Sequence, residues 1–160
     1  MARDAEMRRR HFLSVAGAAL TGAALDAWPQ TFQPPQDIAP LIAKITGGAT
    51  SVRSGVEIEL PALAENGNSV PMRIKVASPM SDADHVKAIY ILAERNPRPL
   101  LATFHLGSHS GRAEIATRVR LAGTQRVTVL AELSGGRFVH GVADVLVTSA
   151  ACLDESTMGT

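Results

Sequence analysis

The chain has 160 residues with 16 basic and 15 acidic side chains, so its net charge of +1 gives no strong electrostatic attraction to nucleic acid or to a membrane surface. It contains a single cysteine, which excludes an intramolecular disulfide. A chain of this length is typical of one domain with a hydrophobic core.

Residues 1–27 have the pattern of an export signal. Arginines come first, and an uncharged, Ala- and Gly-rich run follows from residue 14 to residue 25. That run is too short for a membrane span, which needs about 20 apolar residues, so we expect no stable membrane insertion. Four residues resemble the twin-arginine motif, which directs the export of folded proteins: Arg9, Arg10, Phe12 and Leu13. We therefore expect a periplasmic protein exported by that pathway; an ordinary secretory signal is the alternative.

The single cysteine, Cys152, is informative because export leads to an oxidising compartment. One interpretation is a small apolar residue at the end of a strand, chemically idle. The other is a modified or reactive thiol, or one that forms an intermolecular disulfide. The position near the end of the chain does not decide between them.

A helix is predicted at the start of the folded domain. Residues 28–35 are rich in Pro and Gln and are interpreted as a linker, and we place the domain at residues 36–148. Apolar residues recur at helical spacing between Gln36 and Ile45. Asp37 is the predicted cap, and Gly47 is predicted to end the helix by allowing a positive φ.

Beyond residue 55 the apolar period changes to two, which predicts strands. The first pair covers residues 56–60 and 70–76, and the Asn66-Gly67 dipeptide between them predicts a hairpin turn. Further strands are predicted at residues 86–94, 100–106, 113–121, 125–133 and 138–147. About seven short strands without an intervening helix indicate an all-β fold, an immunoglobulin-like antiparallel β-sandwich preceded by a short N-terminal helix.

No pattern typical of a metal site or of an enzyme is present in the sequence. A copper site would need histidine close to Cys152 and Met158, and a zinc site would need further ligands beside a histidine pair. The Gly-x-Ser-x-Gly elbow and the phosphate-binding loop are also missing. We expect no metal and no catalytic residues of its own. The predicted domain contains four histidines, His85, His105, His109 and His140.

Several stretches resemble the SoxY family of sulfur carriers. The most specific is LPALAENGNSVP at residues 60–71, which is similar to the family run P-x-[IL]-A-E-N-G-x-x-V-P. The resemblance extends over roughly residues 38–152. The other stretches that contribute are residues 78–89, 93–99, 102–106, 110–114 and 115–133.

The resemblance implies an immunoglobulin-like carrier rather than an enzyme. It implies a SoxZ-like subunit as the partner in a heterodimer, and other Sox enzymes as transient partners. It also implies that Cys152 holds thiosulfate-derived sulfur covalently, so that a thiosulfate or sulfane adduct is expected in place of a cofactor. Residues 149–160 would then form the arm that presents one intermediate to several active sites.

The predicted arm differs from the family sequence Gly-Gly-Cys-Gly-Gly. The residues around the cysteine are Ser149, Ala150, Ala151 and Leu153. Alanine makes a stiffer tether than glycine, and the following Asp154 and Glu155 disfavour a thiolate and repel an anionic adduct. Three hypotheses follow: a sulfur carrier at Cys152, a partner-binding or regulatory subunit with an idle thiol, and an intersubunit disulfide.

Overall fold

The computed structural model describes residues 34–151, so the predicted export signal, most of the linker, Cys152 and Leu153 lie outside the described residues. The described part contains one α-helix, nine strands and one 3₁₀ turn. In chain order they are α1 (Ala39–Thr46), β1 (Ser51–Val52), β2 (Val56–Glu59), β3 (Leu63–Ala64), β4 (Val70–Val76), β5 (Val86–Ala93), β6 (Leu100–His105), the 3₁₀ turn (Ser108–Ser110), β7 (Glu114–Val119), β8 (Gln125–Leu133) and β9 (Phe138–Val147).

The strands form two sheets. The larger sheet has the order β1-β9-β8-β5-β6, with β3 also paired to β9, and the smaller sheet has the order β2-β4-β7. The predicted immunoglobulin-like sandwich is confirmed, and its seven predicted strands correspond to β2 and to β4 through β9. The sequence did not predict the two-residue strands β1 and β3, which pair with β9 in parallel rather than antiparallel.

The core lies between the two sheets. β4 alternates buried and exposed residues, so one face contacts the core while the other meets solvent. β5 is central, between β8 and β6, and is buried along nearly its whole length, as predicted. The inner face of the larger sheet is fully buried at Ile89, Ile91, Val127, Val129 and Ala131. Each branched side chain among them contributes about 1.5–3 kcal/mol on burial.

Helix α1 covers the outer face of the larger sheet. Ile38, Leu92, Leu130 and Phe138 form a second buried cluster there. The helix begins at Ala39 rather than Gln36, because Gln36 is bound to the turn after β5: its N–H donates to the Glu94 carbonyl at 2.7 Å. The predicted cap is therefore displaced. Ile38 is the N-cap residue, and Asp37 accepts a bond from the Ala39 N–H at 2.9 Å.

The end of the helix is as predicted: Gly47 has φ +63°, in the left-handed region that favours glycine. Within residues 34–151 no helix has the length and apolar character needed to cross a membrane.

The predicted pairing of residues 56–60 with 70–76 is confirmed, and the chain turns at Gly67 and Asn68, but this turn does not join the two strands directly. β2 and β4 are antiparallel neighbours, but the chain between them crosses to the other sheet, where β3 pairs with β9. The Asn68 N–H donates to the Asn66 Oδ1 at 2.9 Å across the turn, and Gly67 also allows a close approach to the backbones of Leu121 and Ala151. This loop therefore brings residues 62–67 against the end of β9.

Candidate functional site at the base of the C-terminal arm

The predicted arm begins at residue 149, separated by Thr148 from the end of β9 at Val147, and its first residues are bound to the domain. We define residues 148–151 as the arm base. Ser149, Ala150 and Ala151 of the predicted site belong to it, whereas Cys152 and Leu153 lie outside the described residues.

One side of the arm base is bound to the loop that contains β3. The Thr148 N–H donates to the Ala64 carbonyl at 3.1 Å, and the Thr148 hydroxyl donates to the Glu65 carbonyl at 3.0 Å. The Gly67 N–H then donates to the Ser149 carbonyl at 2.7 Å. These bonds continue the parallel pairing of β3 and β9 past the end of the strand.

The other side of the arm base is bound to the loop between β7 and β8. The Ala151 N–H donates to the Leu121 carbonyl at 3.1 Å, and the Leu121 N–H donates to the Gly67 carbonyl at 2.8 Å. Ser149 and Ala150 are exposed, but Ala151 is only 6% exposed. The residue covalently bonded to Cys152 is therefore fixed in the domain by a hydrogen bond and by burial.

Gly67 is at the centre of this arrangement. A Cβ at this position would lie 2.3 Å from the Leu121 carbonyl oxygen, 2.9 Å from the Ala151 nitrogen and 3.0 Å from a Val147 methyl group. Such separations are shorter than van der Waals contact, and two of the three involve backbone atoms. Only glycine allows the three segments to meet here.

The Leu121 loop is itself held by a buried side-chain amide. Asn96 is 3% exposed; its Nδ2 donates to the Arg120 carbonyl at 2.8 Å, and its Oδ1 accepts from the Ala122 N–H at 3.1 Å. The Gln125 Nε2 donates to the same Oδ1 at 2.9 Å, and the Gln125 Oε1 accepts from the Arg95 N–H at 2.8 Å. The sequence predicted only a break in the chain at Asn96 and an ordinary strand residue at Gln125. An Asn before Pro at a strand end was the single available signal.

The histidines do not converge on one site. His85 lies 3.1 Å from the Ser81 carbonyl through its Nδ1, and His140 lies 3.0 Å from the Ser51 hydroxyl. His105 and His109 are exposed. Among residues 34–151, no group of three or more histidine, aspartate, glutamate or cysteine side chains could hold a metal ion.

The charged side chains lie mostly on the solvated faces of the sheets. On the smaller sheet, Arg73 lies 3.5 Å from Glu59 and 3.0 Å from Glu114. The hydrogen bond from Lys75 is the main cause that lowers the pKa of Glu59, and the same bond raises the pKa of Lys75. Exposed pairs of this kind contribute little to stability, because water and salt screen them.

Two exposed leucines lie beside the arm base. Leu63 of β3 and Leu146 of β9 are directly paired, and each is 52% exposed. We call them the leucine pair. Because contacts with other proteins form on contiguous exposed apolar surface, the leucine pair is a candidate contact surface.

The fold and the site together define an immunoglobulin-like β-sandwich whose arm base, residues 148–151, is fixed to the domain. Residues 42–152 match the family model described as sulfur oxidation protein SoxY, and this range ends at Cys152. The chain belongs to the SoxY family, which confirms the resemblance seen in the sequence. A search of curated protein sequences gave no match.

Solved structures agree with this assignment. The sulfur carrier protein SoxY from Chlorobium limicola f thiosulfatophilum is 28% identical, with a TM-score of 0.58, over 68% of this chain and 89% of that chain. The superoxide reductase (neelaredoxin) from Ignicoccus hospitalis is 14% identical, with a TM-score of 0.52, over 59% and 80% of the two chains. The superoxide reductase from Nanoarchaeum equitans is 11% identical, with a TM-score of 0.51, over 60% and 100%. At these identities the superoxide reductases share the fold alone.

Proposed function

We propose that the protein is a periplasmic sulfur carrier that holds thiosulfate-derived sulfur covalently on Cys152. The observation that carries the proposal is the family match, which runs through the arm base to Cys152, the only cysteine of the chain. The bound arm base supports it, because a carrier thiol needs a defined point of attachment to its domain. In this role the protein is a carrier and the catalysis belongs to its partners.

The covalent step joins the cysteine sulfur to the sulfane sulfur of thiosulfate. Formation of this S–S bond releases the thiol proton and two electrons, so a partner redox enzyme must accept the electrons. A partner hydrolase can then add water across the S–SO₃ bond, which releases sulfate and a proton and leaves a persulfide on Cys152. The thiolate is the reacting form.

Intact-mass measurement of the purified full chain tests the proposal. We expect a mass increase equal to bound thiosulfate after incubation with thiosulfate and the partner redox enzyme, and its loss after a reductant. The Cys152→Ser variant is the matched control and should gain no mass while melting at the same temperature. A wild-type thiol that stays bare would instead support a regulatory subunit, and a reductant-sensitive dimer would support an intersubunit disulfide; either result would contradict the carrier.

We propose further that a SoxZ-like subunit forms a heterodimer with this chain and contacts the leucine pair. Membership of the SoxY family and the exposed apolar surface beside the arm base support this. Leu146→Lys should abolish co-purification with a co-expressed SoxZ-like subunit. Leu100→Lys is the control, because Leu100 is also exposed but lies on β6, at the far edge of the larger sheet. Equal recovery of the partner by both variants would refute this contact.

Export by the twin-arginine pathway is part of the same proposal. It is supported by the motif Arg9-Arg10-His11-Phe12-Leu13 and is tested by fractionation of cells that express the full chain. Replacement of both Arg9 and Arg10 by Lys should retain the protein in the cytoplasm. Continued export of that variant would indicate the ordinary secretory route.

A further inference from the structure

The backbone N–H and carbonyl groups of successive residues around Leu121 point to opposite sides of the chain, as they do in an extended strand. On one side the Arg120 carbonyl and the Ala122 N–H meet the amide of Asn96. On the other side the Leu121 N–H and carbonyl meet Gly67 and Ala151. The Asn96 side chain thus occupies the place of a neighbouring strand and pairs with the two peptide groups that flank Leu121.

We propose that Asn96 and Gln125 are positioning residues for the sulfur-bearing arm. They fix the Leu121 peptide groups, and Leu121 in turn holds Ala151, the residue bonded to Cys152. The inference rests on the proposed carrier function, since it assigns a role in presenting sulfur. Neither residue touches sulfur, so neither is catalytic.

Within residues 34–151, no strand pairs with the Arg120 carbonyl or the Ala122 N–H, so these two groups depend on Asn96. β7 ends at Val119 and β8 begins at Gln125, so residues 120–122 lie outside both ladders. Removal of the Asn96 amide would leave the Arg120 carbonyl and the Ala122 N–H without these partners on either side of the fully buried Leu121, where loss of part-buried bonds carries a cost. The loop would shift to satisfy them, and the Leu121 carbonyl would move away from Ala151.

Gln125 acts on Asn96 rather than on the loop. The Gln125 Nε2 donates to the Asn96 Oδ1. This bond fixes the orientation of the Asn96 amide, so that its oxygen faces Ala122 and its nitrogen faces Arg120. The Gln125 Oε1 accepts from the Arg95 N–H, which holds the chain next to Asn96. Gln125 is 6% exposed, so water does not readily replace these bonds.

The single cysteine permits a direct test in the full chain. A nitroxide attached to Cys152 reports motion at the end of the arm base, and hydrogen exchange reports the Ala151 amide. For Asn96→Ala we expect a narrower nitroxide spectrum and Ala151 exchange faster by at least about tenfold. Asn96→Asp should be intermediate, because it keeps the acceptor for Ala122 and Gln125 but loses the donor to Arg120.

Thr128→Val is the control for a general loss of stability. Thr128 is also a buried polar residue of the larger sheet, on β8, and its replacement should leave the nitroxide spectrum and Ala151 exchange unchanged. An unchanged spectrum and unchanged exchange in a folded Asn96→Ala variant would overturn the inference. So would equal changes in Thr128→Val.

The test is independent of sulfur chemistry. Faster Ala151 exchange in Asn96→Ala, with a wild-type protein that binds no sulfur, would uphold the positioning role and reject the carrier. Normal sulfur binding by wild type, with no effect of Asn96→Ala on the arm, would uphold the carrier and reject the positioning role. If both the carrier function and the positioning role are upheld, Asn96→Ala should load sulfur about tenfold more slowly when the partner enzyme is limiting. The reason is that ordering one freed residue costs conformational entropy that corresponds to about a tenfold change.

Discussion

Gly67→Ala is expected to weaken the whole arm base. The added Cβ would lie 2.3 Å from the Leu121 oxygen, so the loop of Gly67 or that of Leu121 must retreat by about 1 Å to restore van der Waals contact. Rotation of a side chain does not help, because the clash is with backbone. The three backbone bonds that link Gly67, Leu121, Ser149 and Ala151 would lengthen or break. At about 0.5–1.5 kcal/mol for each bond, the free energy of unfolding should fall by about 2–4 kcal/mol.

Urea unfolding of the full chain measures this change. Gly107→Ala is the matched control: Gly107 has φ −128° and an added Cβ there would meet no atom within 4 Å, so its cost should stay within about 0.5 kcal/mol. Hydrogen exchange locates the effect, which should be greatest at Ala151 and Leu121. A Gly67→Ala protein as stable as Gly107→Ala would refute the reasoning from close approach.

Two further changes test the rest of the fold. Leu130→Ala, at a fully buried position under α1, should lower the free energy of unfolding by about 2–4 kcal/mol. Val52→Ala, at a 59% exposed position, should change it little. Urea unfolding compares the two variants, and equal effects would contradict the core described above. The melting temperature should also fall as the pH rises above about 10. The hydrogen bond that Lys87 donates to Glu132 raises the pKa of Lys87, and burial raises the pKa of Tyr90. The stability from both groups is therefore present below their usual pKa values of 10.5 and 10.0 and is lost as the pH rises through the folded values. Lys87→Met should reduce this loss, and an unchanged alkaline profile would show that the ion pair does not contribute.

Much of the fold follows from apolar periodicity. Alternation along β4 and the continuous apolar run of β5 predict one half-buried and one central strand, and both are found. The helix is found as well, but it begins three residues later than its apolar spacing predicts, because Gln36 bonds to Glu94 in the turn after β5. Apolar periodicity is sufficient to predict an element when the alternation of buried and exposed residues along that element is regular.

The arm base depends on distant parts of the chain, and its geometry could not be predicted. The Asn-Gly dipeptide predicts the turn that is found at Gly67 and Asn68, but it gives no sign that Gly67 contacts Leu121 and Ala151, more than fifty positions away. β1 and β3 have two residues each, too few for any period to appear. Asn96 acts through its side chain alone, and no spacing rule relates it to Leu121.

Under the proposed carrier function, the burial of Ala151 means that a longer reach of Cys152 from the domain costs free energy. With the arm base in place, a sulfur on Cys152 stays within one residue of the buried Ala151, which suits a partner with a shallow entrance. A deeper active site requires release of Ala151 and Ser149, which frees three residues and adds about 10 Å of reach. That release breaks the two bonds to Leu121 and Gly67 and costs about 1–3 kcal/mol, which the partner's own contacts with the arm must supply. A partner with a deeper active site would therefore bind with lower net affinity, because more of its binding free energy offsets the release of the arm base.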